Sequence, residues 1–387
     1  MNLISIEPTP SPNSMKLNVD ETLPRGHRHT YVPAEPDAAP EPLRSLLAIP
    51  GVRSLFRTAD FIALDRKPSA DWAAILAEAR RILQAEDGGA AAASDPASGF
   101  GEAHVLVQMF RGIPIQVRVR LGDGETRAAM PAAFTDAVSR AAGSTMIRER
   151  RLEEFGVRYG DPEEIAAEIV RELEASYTPE RLEALIEASL AAGPGEQAAA
   201  APTVRPAPLT AAEAGPLLAA EDWQSRYAAL DRLAVDEAAL PLLERALADD
   251  NASIRRLAVV YLGDLREHPQ ALPLLIQALA DKSASVRRTA GDTLSDLGDP
   301  AATGAMVAAL GDRNKLVRWR AARFLYEVGD DSALEALQQA AEDSEFEIRL
   351  QAQMALERIQ RGEEAAGSVW QQMTAARRRE TGEAEPG

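Results

Sequence analysis

The sequence predicts α+β N-terminal and middle domains followed by an all-α solenoid of helical repeats. Three observations support this prediction. Apolar runs with strand-like alternation lie in the first part of the chain, a motif of 31 or 32 residues recurs from residue 249, and two stretches rich in Gly, Pro and Ala separate the parts. We interpret these stretches, 86–99 and 192–208, as linkers. The expected domains are 1–85, 100–191 and 209–362, with a capping helix and an acidic tail at 363–387.

The composition restricts the chemistry that this chain can perform. It holds 42 Lys and Arg against 60 Asp and Glu, and the resulting net charge of −18 repels nucleic-acid phosphates and disfavours a nucleic-acid function. The chain has no cysteine, which excludes thiol nucleophiles, zinc–thiolate sites and cysteine-ligated iron–sulfur clusters. With only four histidines and no recognisable catalytic constellation, we predict no catalytic residues, no cofactor and no metal site.

The sequence shows no targeting or membrane-spanning pattern. The first residues lack a basic region followed by a long apolar core, and no stretch approaches about 18 consecutive apolar residues. We therefore expect a cytoplasmic protein without a signal peptide or a membrane span.

The N-terminal domain is predicted to be a small two-layer unit in the order β-β-α-β-β-α. Alternating apolar residues predict the strands, Pro50-Gly51 ends a short helix, and a longer amphipathic helix begins at Asp71. The strands are expected at 3–6, 15–19, 52–56 and 61–64, and the helices at 42–49 and 71–83. His27 and His29 fall in a connecting loop, which we interpret as solvated because imidazole ligands need further partners to bind a metal.

Three spaced motifs in this domain resemble the N-terminal domain of the Nfu/NifU family. They are TPSPNSMK at 9–16, IPGVRSLF at 49–56, and DFIAL at 60–64 followed by Trp72. The resemblance implies a domain found in iron–sulfur scaffold proteins, which hold their cluster with a Cys-x-x-Cys in a separate C-terminal domain. A link to iron–sulfur protein maturation is thus implied by the resemblance alone. We interpret Pro12-Asn13-Ser14 as a turn. Hydrogen bonds from its side chains to nearby backbone amides are expected to close this turn.

The middle domain is predicted to begin with a β-hairpin and to continue with helices. The hairpin strands are expected at 105–109 and 115–119, and helices at 131–142, from Asp161 and from Thr178. We interpret a nearby group of charges as a solvated surface at helix ends rather than a paired-carboxylate site. The group comprises Arg148, Glu149, Arg150, Arg151, Glu153, Glu154, Arg158 and Asp161.

The same domain contains two runs, VQMFRGIP and EEFGVRYGDPEEI, that resemble the middle region of the family labelled conserved virulence factor C. In that family an Nfu-type N-terminus precedes HEAT-like repeats. The resemblance therefore implies the layout of the whole chain, and it implies no reaction.

Internal repetition dominates the second half of the sequence. An aspartate recurs at steps of 32, 31 and 31 residues, and an arginine follows each aspartate after six residues. One helix is predicted before each aspartate and another after each arginine, and a degenerate earlier copy covers 223–233. The pattern resembles the short HEAT-like repeats that also occur in phycobilisome lyases, so we predict an all-α HEAT-like solenoid. The recurrent positions are Asp249, Arg255, Asp281, Arg287, Asp312, Arg318, Asp343 and Arg349.

Two sets of residues in the repeats receive different interpretations. The recurrent arginine opposes the dipole at a helix N-terminus, so we predict that it pairs with an aspartate of its own or a neighbouring turn and forms a structural ladder. The second set has no acid matched to it in the repeat. It is expected on the concave face, either as a solvated surface or as a binding site for a protein with an acidic surface. This set comprises Arg256, Arg288, Trp319, Arg320 and Arg323.

These features favour a non-catalytic cytoplasmic adaptor or scaffold that binds protein partners through its solenoid. The alternative is a lyase or isomerase that handles a cofactor or chromophore. That alternative rests only on the resemblance to lyase-type repeats.

Overall fold

A computed structural model of the chain describes residues 1–9, 11, 13–24, 27–35, 38–67, 70–83, 102–121, 124–142, 150–192 and 206–362. The predicted linker 86–99, most of the linker 192–208 and the predicted capping helix and tail lie outside these residues. The chain forms two compact units: unit 1 combines 1–102 with the residues from 306 onward, and unit 2 comprises 103–305.

The first part of unit 1 is a five-stranded sheet with two helices on one face. The sheet order is β1-β2-β5-β4-β3, and neighbouring strands are antiparallel. Fully buried residues of the central strands, such as Leu17, Leu55 and Leu64, pack with both helices in one apolar core. The elements are β1 (Leu3–Pro8), β2 (Ser14–Val19), β3 (Arg28–Tyr31), α1 (Leu43–Leu47), β4 (Val52–Thr58), β5 (Phe61–Arg66) and α2 (Trp72–Ile82).

Strand β3 is an addition to the predicted β-β-α-β-β-α order. It pairs with β4 along the sheet edge, with His29 opposite Arg57 and Tyr31 opposite Leu55. The prediction of a loop is therefore wrong for His29, whereas His27 lies in a loop and both side chains are exposed as expected. The four residues of β3 carry no apolar alternation because an exposed edge strand buries almost nothing.

The turn between α1 and β4 requires the glycine of the IPGV motif. Gly51 has a φ of +93°, and an added Cβ would lie 2.5 Å from the Cβ of Ala70. Any other residue would meet both backbone strain and a collision there. The glycine thus fixes the entry of β4 beneath α2.

The first part of unit 2 is a four-stranded sheet covered by three helices. The sheet order is β8-β7-β6-β9. A tight turn joins β6 and β7, with Arg111 and Gly112 both at positive φ, which is typical of a two-residue hairpin. The elements are β6 (Glu102–Phe110), β7 (Ile113–Leu121), β8 (Gly124–Ala129), α3 (Ala132–Ala142), β9 (Arg150–Tyr159), α4 (Pro162–Ser176) and α5 (Pro179–Ala192).

Two of these strands differ from the sequence expectation. The hairpin and the three helices occur where they were predicted, but β8 and β9 were not predicted. Most of the charged group assigned to helix ends lies on β9, while residues 148 and 149 fall outside the described part. Asp161 alone is at a helix end, where its Oδ1 accepts hydrogen bonds from the backbone N–H of Glu163 and Glu164 at 2.9 and 3.0 Å.

Ten helices arranged in five pairs form the predicted HEAT-like repeats in the described residues. Helices α6 and α7 are the degenerate first copy. The fold class predicted from the sequence is confirmed by this arrangement. The helices are α6 (Ala211–Leu217), α7 (Trp223–Asp231), α8 (Leu240–Leu247), α9 (Ala252–Asp264), α10 (Ala271–Ala278), α11 (Ala284–Leu297), α12 (Thr303–Ala309), α13 (Lys315–Val328), α14 (Leu334–Ala340) and α15 (Phe346–Gln360).

Among the helices that the structure describes, none is long and apolar enough to cross a membrane.

Candidate functional site

The recurrent arginine of each repeat makes contacts in two directions. Arg255 donates from Nε and Nη2 to both carboxylate oxygens of Asp281, in the following repeat, at 2.7 and 3.0 Å. Its Nη1 donates to the carbonyl oxygens of Asp249 and Asp250, in its own repeat, at 2.8 and 2.9 Å. One guanidinium group therefore holds the turn of its own repeat to the acid of the next.

Each ladder aspartate also supports the start of the following helix. Oδ1 of Asp281 accepts a hydrogen bond from the backbone N–H of Ser283 at 2.7 Å, immediately before α11. The same geometry recurs at Asp343, which binds Arg318 at 2.7 Å and the N–H of Glu345 at 2.8 Å. The carboxylate thus joins the preceding repeat to the next helix N-terminus.

The ladder begins one repeat earlier than the sequence analysis recognised. Arg226 binds Asp249 at 2.7 Å and donates to the carbonyl oxygens of Ala220 and Glu221. This arginine was missed because Ala220 occupies the position at which later repeats have the aspartate. The detectable feature was the spacing, since Arg226 follows Ala220 by the same six residues.

The remaining ladder positions keep the contacts to their own turns. Arg287 donates to the carbonyl oxygen of Asp281 at 2.8 Å, and Arg349 donates to that of Asp343 at 2.6 Å. Asp312 accepts from the N–H of Asn314 at 2.7 Å. That these bonds set the register of successive repeats remains our proposal.

Hydrogen bonding outweighs desolvation at three ladder carboxylates. Burial acts to raise the pKa of Asp249, Asp281 and Asp343, but hydrogen bonds from the paired arginine and from a backbone N–H lower it below the ordinary aspartate value. Each of these groups is therefore held in its charged form in the folded chain.

The lowered pKa values predict acid sensitivity of the repeats. A carboxylate with a depressed folded pKa contributes stability above its unfolded pKa of about 3.9, and this contribution is lost as the pH falls through the folded pKa. We expect Asp281→Asn to lower the free energy of unfolding by about 1 kcal/mol at pH 7, and the difference from the wild type to shrink below about pH 4. Urea melts at several pH values measure this, and a difference that does not change with pH would contradict it.

The next arginine of the second repeat makes a buried ion pair with the middle domain. Nη2 of Arg256, on α9, lies 2.9 Å from Oε1 and 3.1 Å from Oε2 of Glu172, on α4. Both side chains are only 7% exposed. This pair anchors the α+β part of unit 2 to its repeats.

Other ionisable groups surround this pair. Arg158, at the end of β9, places Nη2 at 3.6 Å from Oε2 of Glu172. Burial, and secondarily the charge of Glu172, raises the pKa of both Glu168 and Tyr227. Glu172 is the acid whose carboxylate oxygens contact both arginines.

A second contact joins β9 to the third repeat. The guanidinium carbon of Arg288, on α11, lies 3.3 Å from the ring centroid of Tyr159. The same arginine pairs with Asp292, one helical turn further on, at 2.8 Å. The cation–π contact joins the end of β9 to α11, while the ion pair lies within α11 and positions the guanidinium.

In unit 1, an arginine of the N-terminal domain binds the last repeat. Nη2 of Arg66 lies 2.7 Å from Oε1 of Glu347 in the first turn of α15, and both side chains are buried. Nη1 of Arg66 donates to the carbonyl oxygen of Ala70 at 2.8 Å, and its guanidinium stands 5.1 Å from the ring centroid of Trp72. Phe346, beside Glu347, belongs to the apolar core of the N-terminal domain.

The asparagine of the Nfu-like motif orients this arginine. Oδ1 of Asn13 accepts from Nε of Arg66 at 3.3 Å, and its carbonyl oxygen accepts from the backbone N–H of Arg66 at 2.9 Å. The local turn bonds come from Thr9 and Ser11. The interpretation of this motif as a turn thus omitted a role of Asn13 in docking.

The second set of residues predicted in the repeats is not an exposed basic stripe. The acid of Arg256 lies outside the repeats, and Arg323 pairs with Glu327 at 2.6 Å in its own helix. Trp319 and Arg320 are buried, with the guanidinium 5.0 Å from the ring centroid. The expectation of no acid within the repeat is therefore wrong for Arg288 and Arg323, and that of an open surface is wrong for the buried side chains of this set. Partner binding by this second set of residues stays a prediction, but the exposed surface on which that prediction depended is not present at these described positions.

No group of three or more His, Asp or Glu side chains suited to a metal occurs in the described part of the chain. His29 is on β3 and stacks on Tyr31, with 6.1 Å between the ring centroids. The contacts described above join elements of the fold.

Fold and contacts together define a helical-repeat protein of the HEAT class that carries two small α+β domains. Family profiles match in the same order: "Scaffold protein Nfu/NifU N terminal" at 4–87, "Virulence factor" at 108–186, and "HEAT repeats" at 212–295 and 272–357.

Relatives match over almost the whole chain. The "Uncharacterized protein YpgR" of Bacillus subtilis is 48% identical, covering 98% of this chain and 100% of the relative. "Conserved virulence factor C" of Staphylococcus aureus strain MRSA252 is 39% identical, covering 97% and 99%. The "Conserved virulence factor C" of Staphylococcus saprophyticus is 36% identical, and the match covers 96% of this chain and 98% of the relative. The chain therefore belongs to the conserved virulence factor C family.

Solved structures resemble parts of the chain. Protein SAV1430 of Staphylococcus aureus is 32% identical, with a TM-score of 0.20, and the match covers 21% of this chain and 98% of that one. The complex of CpcE and CpcF of phycocyanin lyase from Nostoc sp. PCC7120 is 24% identical, with a TM-score of 0.27, and the match covers 39% and 93%.

Proposed function

We propose that the protein is a non-catalytic adaptor that binds protein partners with its repeats and its two small domains acting together. The observation that supports this most directly is the anchoring within each unit. In unit 2 the buried pair Arg256–Glu172 joins the middle domain to the repeats, and in unit 1 the pair Arg66–Glu347 joins the N-terminal domain to the last repeat. Parts held in this way lose little conformational entropy when a partner binds.

The Nfu-like domain extends the proposal toward iron–sulfur protein maturation. Since the chain has no cysteine to ligate a cluster, its role there would be to hold a client protein or a cluster-carrying protein. A cytoplasmic location is part of this proposal. The expected acidic character of the partner rested on the five residues of the second set, which engage in internal contacts, so we assign no charge to the partner surface.

Proximity labelling with the full-length chain at native expression tests the adaptor proposal. We compare the wild type with Arg66→Ala, which removes the anchor of the N-terminal domain, and with Arg81→Ala, which removes an exposed arginine on α2 of the same domain. A reproducible partner set that Arg66→Ala loses and Arg81→Ala keeps would support the proposal. No enrichment over a bystander protein would contradict it.

The iron–sulfur extension has its own readout. In a deletion strain, activity and cluster content of cluster-dependent enzymes should fall and should recover with the wild type and with Arg81→Ala. Unchanged cluster content would remove this extension and leave the adaptor proposal intact. A chromophore or cofactor bound stoichiometrically to the purified protein, seen by absorption and intact mass, would instead favour the lyase alternative.

A further inference from the structure

Strand β9 presents an exposed edge at one end of the unit 2 sheet. It follows β6 in the order β8-β7-β6-β9, and no strand in the described part of the chain pairs with its outer edge. All residues from Arg150 to Gly156 are exposed, including Leu152 at 42% and Phe155 at 36%. Exposed edges of this kind are templates for pairing with another strand.

The other end of the strand is firmly held. Arg158 approaches Glu172, and Tyr159 packs under Arg288. The open half of β9 therefore extends from a fixed base, which lowers the entropic cost of adding a strand to it.

The charges on the open half follow an order that complements itself. The sequence from 150 to 154 is Arg-Arg-Leu-Glu-Glu. If two copies of β9 run antiparallel with a two-fold axis at Leu152, then Arg150 lies opposite Glu154 of the other copy and Arg151 lies opposite Glu153. Leu152 then lies opposite itself. Each of the four pairs across the axis then joins an arginine to a glutamate. The two members of each pair lie on the same face of the sheet, as directly opposite residues do.

Neighbouring registers are less favourable. Outward-facing backbone groups alternate along a strand, so a symmetric antiparallel pair must place its axis at a residue and not between two residues. An axis at Arg151 sets two arginines against each other, and an axis at Glu153 sets two glutamates against each other. Like charges directly opposite destabilise a strand pair. Of the three axes at residues 151, 152 and 153, the charge order thus favours the one at Leu152.

We propose that β9 is a homodimerisation edge, at which a second copy of this chain adds its own β9 to form a continuous sheet. Charges on an edge strand usually prevent pairing because they meet like charges or are left buried. Here the same charges attract an antiparallel copy of the strand in the register with its axis at Leu152. In the neighbouring registers they place like charges opposite each other. The interface is isologous, closes at two copies and therefore does not propagate into fibres. It would give the adaptor two sets of partner-binding parts.

Charge exchange on the full-length chain tests this proposal by sedimentation over low to high micromolar concentrations. Arg150→Glu/Arg151→Glu places like charges opposite each other and should raise the dimer dissociation constant about tenfold or more. Glu153→Arg/Glu154→Arg should do the same. An equimolar mixture of the two variants, and a single chain with all four exchanges, should both recover the dimer.

A cysteine at the proposed axis gives an independent measurement in this cysteine-free chain. Opposite Cα atoms in an antiparallel pair lie about 4.5–5.5 Å apart, within the range of a disulfide. Leu152→Cys should therefore link two copies under mild oxidation. Phe155→Cys is the matched control, since its two copies would be about 20 Å apart along the strands.

Three results would overturn the proposal: a wild type that is monomeric at all these concentrations, a dimer that the charge variants do not weaken, or equal linking of the two cysteine variants. Circular dichroism melts establish that each variant is folded. If a double variant does not fold, the Leu152→Cys and Phe155→Cys comparison decides the question alone.

Discussion

Replacing Arg256 by alanine is expected to lower the free energy of unfolding of unit 2 by about 3 kcal/mol, among the largest effects of a single substitution in the chain. The change leaves Glu172 buried without its bidentate partner, and removing one member of a buried ion pair typically costs about 3–5 kcal/mol. We expect the lower end of this range because Arg158, 3.6 Å from the same carboxylate, remains. Hydrogen exchange of α4 and α9, measured by mass spectrometry, reports the loss in the unit concerned.

The control is Arg245→Ala, at an exposed position on the neighbouring helix α8, which should leave exchange unchanged. The double variant Arg256→Ala/Glu172→Ala should be less destabilised than the sum of the single variants, because it leaves no buried charge. Additive single effects would mean that the pair does not act as a unit and that α4 docks on α9 by apolar contact alone.

Replacing Arg66 by alanine is expected to destabilise the docking of the N-terminal domain on α15 by a similar amount, about 3 kcal/mol. The substitution removes the buried pair with Glu347, the contact over Trp72 and the hydrogen bond that Arg66 donates to Asn13 at once. Exchange should rise in α15 and in α2 together, since both helices contribute to the core that Arg66 covers. Limited proteolysis within α15 should become faster.

Arg81→Ala is the matched control for this prediction. Arg81 is on α2 of the same domain, but its pair with Glu78 is exposed to solvent, so its loss should be nearly neutral. Glu347→Gln should have a smaller effect than Arg66→Ala, because the contacts of Arg66 to Asn13, Ala70 and Trp72 remain. If Arg66→Ala and Arg81→Ala behaved alike, the Arg66–Glu347 pair would not be what holds the domain.

The two docking pairs use the same chemistry with opposite polarity. In unit 2 the repeat supplies the arginine and the α+β domain the glutamate, whereas in unit 1 the α+β domain supplies the arginine and the repeat the glutamate. We expect this difference in polarity to disfavour docking of either domain on the other's repeat, because like charges would then meet.

The sequence by itself determined the features that repeat or that act locally. The fixed step of 31 or 32 residues predicted one structural unit per step. The aspartate and arginine in each unit predicted the ladder, because an arginine at a helix N-terminus needs an acid nearby to balance its charge. The hairpin of β6 and β7 and the start of α4 at Asp161 were equally local, since turn and cap residues specify them. Within the ladder, the sequence left open whether each arginine pairs with the aspartate of its own repeat or with that of the next repeat. Only the folded structure decided this.

The tertiary structure decided the edge strands and the partners of the second arginines. Strands β3, β8 and β9 have no apolar alternation because they lie at sheet edges and bury little, so a pattern based on burial could not detect them. The acid of Arg256 is 84 residues away on α4, and the acid of Arg66 is on the last repeat. No spacing rule links such residues, because only the packing of one domain on another, with its exclusion of water, brings the two charges together.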